Sequence, residues 1–194
     1  MKNYDVIIIG AGSIGVPTAM YLAEKKMKVL VLDGEHGPGQ QNNKKAIGGI
    51  RATHSDFGKI SVCLRSIEIL KNWQEERGDD IGWMSNGYSY PAYNKEDADT
   101  LKALMKIQLG FGLNIKWLSP EEYNEIVPGI NMDGLLGSTY SEEDGSCSPL
   151  LTSLISNPSI SRRDLYIPDK AESSSTNKIF FFISIILIYY YIPS

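Results

Sequence analysis

Cysteine is scarce in this chain: Cys63 and Cys147 are the only two among 194 residues. Two thiols far apart build no disulfide framework, and they lack the close spacing of metal ligands, so a reducing, cytoplasmic setting and no metal site are expected. Histidine is equally rare, with only His36 and His54. No excess of positive charge exists either. Nineteen Lys and Arg against 23 Asp and Glu give a net charge of −4, which leaves no basic stripe for phosphate backbones and excludes nucleic acid as a partner. The first apolar run leads into glycines rather than a cleavage site, so it is expected to be a strand and not a secretory leader. Long hydrophobic runs are missing except for one, "IFFFISIILIYYYI", at 179–192. That run falls short of the ~20 residues a spanning helix needs, and its β-branched and aromatic content suits a strand equally well. Membrane contact through it is therefore not favoured. With 42% hydrophobic and 22% charged residues, the remainder reads as an ordinary globular protein.

What the sequence does contain is a glycine pattern close to its start. "YDVIII" (4–9) reads as a strand buried on both faces, and Gly10, Gly12 and Gly15 follow it. Val16, Ala19, Met20 and Ala23 then keep helical spacing, and "KVLVLD" (28–33) forms a second buried strand. Strand, glycine turn, helix and strand make a βαβ unit. In that context G-x-G-x-x-G binds a dinucleotide. The first glycine permits the tight turn, the second lets the backbone approach a pyrophosphate, and the third lets helix and strand pack closely. Ser13, Ile14 and Gly15 open the helix, whose free amides and dipole face the phosphates. Asp33, ending the second strand, can accept from a ribose hydroxyl and disfavours a 2′-phosphate, with Gly34 beside it. The pattern alone does not separate FAD from NAD.

A long polar, glycine-rich loop spans 34–53, longer than a compact domain usually carries without a functional reason. Ser55 or Asp56 caps a helix with Ile60, Leu64, Ile67 and Leu70 on one face. "IGWMSNGYSYPAY" (81–93) reads as sheet strands. A helix capped by Asn94 follows, with Ala98, Leu101, Met105 and Leu109 as its buried stripe. "NIKWL" is a strand, "SPEE" at 119–122 a capping box, and "GLLGSTY" another strand. From about 153 the sequence turns serine-rich and loses its periodicity.

The glycine motif, "GGIR" (48–51), "LSPEE…PG" (118–129) and the "DG-x-x-x-P" turn (144–149) together resemble the D-amino-acid-oxidase-like superfamily of FAD-dependent oxidoreductases. Within it the sequence looks most like the sarcosine and glycine oxidase branch, over residues 4–152. The resemblance implies an α/β fold: a Rossmann-like FAD-binding βαβ unit with part of an α+β substrate domain, truncated. Residues 1–80 would be the first part of the FAD-binding domain and 81–133 a partial substrate domain. Residues 134–152 would be a return strand to the FAD domain, and 153–194 an atypical tail. It also implies FAD as cofactor and a small amine or amino acid as substrate, oxidised by hydride transfer to flavin. Lys44, Lys45, Ala46, Gly48, Gly49 and Arg51 would then lie against the cofactor. Arg51 could stabilise reduced flavin or hold a substrate carboxylate, or simply pair with a neighbouring acid; His54 is the second catalytic candidate. A partner subunit completing the site is compatible with the resemblance, and the short sequence puts activity in doubt. Two other readings stay open: a non-catalytic, membrane-associated nucleotide-binding remnant, and an NAD-dependent Rossmann enzyme.

Overall fold

The βαβ unit at the chain's start orders everything around it. In the computed structural model, which describes residues 3–155 and 165–166, β1 (Val6–Ile9) runs through the glycine turn into α1 (Gly15–Glu24) and back as β2 (Val29–Leu32). The 34–53 segment holds a single-turn α2 (Asn42–Lys45) and β3 (Gly49–Ile50). Next come α3 (Phe57–Lys71), α4 (Trp73–Arg77), β4 (Tyr88–Ala92), α5 (Lys95–Gly110), β5 (Ile115–Leu118) and α6 (Pro120–Ile126). The chain continues through β6 (Gly137–Ser141), β7 (Gly145–Ser146) and α7 (Pro149–Ile155) to β8 (Leu165–Tyr166). The apolar run at 179–192 lies outside the described residues. Among the described residues, no helix is long and apolar enough to cross a membrane.

The described residues form three sheets. β1, β2 and β8 are parallel in the order β1-β2-β8; β3 pairs with β7; and β4-β6-β5 form an antiparallel sheet. The register of that last sheet puts Tyr88, Tyr90, Thr139, Ser141, Ile115 and Trp117 on one face. That face packs on α3 and α5 through a core of Ala52, Ile60, Ile67, Leu113 and Ile115. The other face meets α6 through Leu118, Tyr123 and Leu135. The local helix signals work as read. Asp56 accepts from the Lys59 amide and Asn94 from the Asp97 amide, while Ser119 and Glu122 close a full capping box.

Two expectations need correction. β1 is not buried on both faces: Ile8 packs under α1, but Ile7 and Ile9 are 58% and 88% exposed. A parallel strand needs cover on both sides, and among the described residues only α1 supplies it. The stripe of α5 is rotated, with Leu109 exposed and Gln108 buried in its place, because Leu104 also turns inward and shifts the covered arc of Ala98, Leu101, Leu104 and Met105 toward 108 and away from 109. Residues 134–152 take part in two of the sheets. β6 is the middle strand between β4 and β5, its five-residue register taken up on both sides, and the chain comes back only from Gly145 onward.

Candidate functional site

Sterics fix the glycine turn. Gly10 sits at φ +102°, a conformation that side chains resist, and a Cβ on Gly15 would lie 1.9 Å from the Gly10 carbonyl oxygen. Only glycine lets α1 approach β1 this closely. A Cβ on Gly12 would meet nothing nearer than the Asn43 Oδ1 at 3.8 Å, so its outer side is open to an incoming group. The N-cap residue of α1, Ile14, has no side-chain cap to offer, which leaves amides of the first turn available to an anion. Asp33 reaches across from β2. Its Oδ2 accepts from the Ala11 amide at 2.5 Å and its Oδ1 from the Glu35 amide at 2.9 Å, and each oxygen keeps a second acceptor position. Gly10, Gly12, Ser13, Ile14, Gly15 and Asp33 thus converge on one cradle. These residues fit a dinucleotide's ribose and pyrophosphate.

The 34–53 segment folds beside that cradle. Gly34, Lys44, Lys45 and Ala46 are exposed, and neither lysine forms an ion pair among the described residues. Gly48 is buried at φ +79°, where a Cβ would stand 2.2 Å from the Cys147 carbonyl oxygen, and Gly49 lies against Tyr88. Asn43, not anticipated from sequence, joins the parts. Its Oδ1 accepts from the Ser13 amide at 3.3 Å, while its Nδ2 donates to the Ser153 Oγ at 2.6 Å.

Arg51 and His54 lie together at a second place, a cavity of about 280 Å³ between the 51–55 segment, α5 and the antiparallel sheet. Leu101, Leu104, Ile115 and Tyr90 give it an apolar wall, with Gln108, Thr53, Ser55 and Thr139 as polar members. The Arg51 guanidinium lies over the Tyr88 and Tyr90 rings, 5.7 and 5.8 Å from their centroids, and its Nη1 donates to the Thr53 carbonyl at 2.8 Å. Among the described residues no carboxylate stands within salt-bridge distance of it. Its charge is held in place by rings and a carbonyl, with room to meet an anion. Burial, then the positive charges of Arg51 and Lys59, push His54 below its usual pKa and favour neutral imidazole. Gln108 Nε2 donates to the His54 carbonyl at 3.0 Å, tying this wall to α5.

Behind the cavity lies Asp144, wholly buried in the turn between β6 and β7. Its Oδ1 accepts from the Ala52 amide at 2.9 Å, a side-chain bond just beyond the end of the β3·β7 pairing. Nothing in the 34–53 stretch signals this contact across 92 positions; the "DG" turn carried the only hint. The two thiols take no part, since burial raises the pKa of both Cys63 and Cys147. No cluster of potential metal ligands exists among the described residues.

Comparison with known proteins points to one family. Residues 5–154 match the sequence pattern described as "DAO: FAD dependent oxidoreductase". Glycine oxidase of Geobacillus kaustophilus is 29% identical over 155 residues, and the alignment covers 75% of this chain and 40% of that protein. Human mitochondrial sarcosine dehydrogenase is 27% identical over 146 residues, covering 75% of this chain and 16% of the relative. The chain therefore spans well under half the length of these relatives. Among solved structures, the L-proline dehydrogenase from P. horikoshii superposes with a TM-score of 0.78 at 26% identity, over 86% of this chain and 44% of that one. The glycine oxidase from Geobacillus kaustophilus gives 0.74 at 25%, over 84% and 46%. With the glycine-lined cradle at its start and a match over nearly all the described residues, this chain belongs to the FAD-dependent oxidoreductase family, whose cofactor is FAD.

Proposed function

We propose that this chain supplies the adenine-nucleotide cradle and the carboxylate anchor of an FAD-dependent oxidoreductase that oxidises the C–N bond of a small amine or amino acid. The observation that carries the reading is Arg51, a guanidinium facing a cavity with no carboxylate partner among the described residues. Its donor fork suits a substrate carboxylate. The Tyr88 and Tyr90 rings restrict it to one orientation, so less freedom is lost on binding.

The other wall residues have complementary tasks. Leu101, Leu104 and Ile115 exclude water from the substrate's apolar portion. His54, held neutral, can accept a proton from a substrate ammonium group, leaving the nitrogen lone pair free. When bound, FAD supplies the two-electron acceptor for the adjacent C–H bond. In the cradle, Gly10, Gly12, Ser13, Ile14 and Gly15 would receive the pyrophosphate and Asp33 the ribose. Gly34, Lys44, Lys45, Ala46, Gly48 and Gly49 would line the path between cradle and cavity.

The relatives' names support the substrate class, since glycine, sarcosine and L-proline are all small amino acids. The test is binding of isobutyrate, a small carboxylate, to the full chain with FAD present, followed by ligand NMR. Binding weakened about tenfold or more by Arg51→Met supports the reading, given the ~1.5–3 kcal/mol typical of hydrogen bonds to charged groups. Equal binding by both proteins refutes it.

A further inference from the structure

Asp144 is a carboxylate with a use beyond holding the chain together. It is fully buried, and its Oδ1 accepts from the Ala52 amide in good hydrogen-bonding geometry. Among the described residues its Oδ2 has no partner in that geometry, although the Ser141 hydroxyl lies close to the carboxyl. A buried carboxylate oxygen without a donor is expensive, and proteins retain few of them. The groups whose charge reaches Asp144 are Arg51 from the β3 side, Glu143 from its own turn and the Cys63 thiol from α3; His54 in turn feels Arg51. Arg51 is the one cation in that set. Burial raises the carboxyl pKa, and the Ala52 amide, the Ser141 hydroxyl and Arg51 oppose the rise.

The same arginine would therefore serve two anions. While the cavity is open, Arg51 offsets the charge of Asp144. A carboxylate arriving at Arg51 takes over that role and leaves Asp144 as an uncompensated buried charge, which the protein relieves by protonation. We propose that Asp144 is the positioning residue of Arg51, fixing its segment through the Ala52 amide, and that it takes up one proton from solvent when a carboxylate binds in the cavity. The proton goes to Oδ2, and the new O–H can donate to the Ser141 hydroxyl beside it. This inference rests on the reading of Arg51 as the carboxylate anchor.

Linkage fixes the sign. Because the liganded protein holds one more proton, affinity falls as pH rises between the Asp144 pKa of the open and liganded states, by up to about tenfold per unit. Isobutyrate affinity of the full chain with FAD, measured by ligand NMR across pH 5–8 (about three units, bracketing the raised carboxyl and the histidine range), reads it directly. Asp144→Asn keeps an oxygen for the Ala52 amide but carries no charge, so its affinity is expected to be flat with pH and several-fold tighter near neutrality. Infrared difference spectra of the unmutated protein give a second readout, with a protonated carboxyl band expected on adding isobutyrate. A flat wild-type profile, no such band, or a slope that survives Asp144→Asn and vanishes in His54→Gln overturns the proposal. Arg51-dependent binding with a flat profile defeats only the Asp144 proposal, whereas binding indifferent to Arg51→Met defeats the reading beneath it.

Discussion

The nucleotide cradle and the Arg51 cavity are built in opposite ways. The cradle comes from one stretch of chain, 6–33, and consists mainly of backbone whose path glycine permits. The cavity is assembled from residues scattered between 51 and 139, held by contacts that cross long stretches of sequence. Ala52 meets Asp144 and Gln108 meets His54, 92 and 54 positions apart. A phosphate needs amides and a dipole, which a short motif can provide. A substrate needs an oriented charge and a shaped wall, which only the assembled fold can provide.

If the cradle depends on glycine sterics, a single methyl should break it while the cavity's own sheet persists. Gly15→Ala is expected to have the largest effect, about 3 kcal/mol or more, because the clash is with backbone that cannot move aside. Chemical denaturation should show the lost stability, and gel filtration with FAD should show flavin eluting separately. Gly48→Ala tests the junction between the two regions. Strain at positive φ together with the clash on the Cys147 carbonyl should cost about 2–3 kcal/mol, read by the same denaturation.

Smaller changes sharpen the contrast. Asp56→Ala removes the cap of α3, behind the cavity, and should lower stability by about 1 kcal/mol without altering flavin retention. The pH response of His54 is expected to be the smallest effect. Its folded pKa lies below the unfolded value, so the unfolded chain binds more protons in the interval between them. Stability from this group is present above the ordinary histidine range and is lost as pH falls toward the folded pKa. Denaturation of the wild type and His54→Gln through that interval should show the wild type losing more.

The same contrast decides what could be read from sequence. The glycines, Asp33, the Asn94 and Asp56 caps and the Ser119 capping box are legible because each acts on neighbours within a few residues or one βαβ unit. Arg51 was legible as a charge near the site, but not that no carboxylate among the described residues pairs with it, which depends on what packs there. Asn43 and Gln108 carry no local signal, and the turn that marks Asp144 does not say whom it meets; each takes its role from a distant backbone or side-chain group. The exposure of Ile7 and Ile9 was hidden for a related reason. An apolar run states that a strand seeks cover, not which element provides it.

The most direct test of the central claim is cofactor retention by the full chain. Purified protein incubated with FAD and passed through gel filtration should carry flavin absorbance in the protein peak at one equivalent per chain (an order-of-magnitude expectation of about 1 for a single cradle). FAD should raise its melting temperature, and NAD should not. Colourless protein, indifferent to FAD or stabilised by NAD instead, would contradict the account.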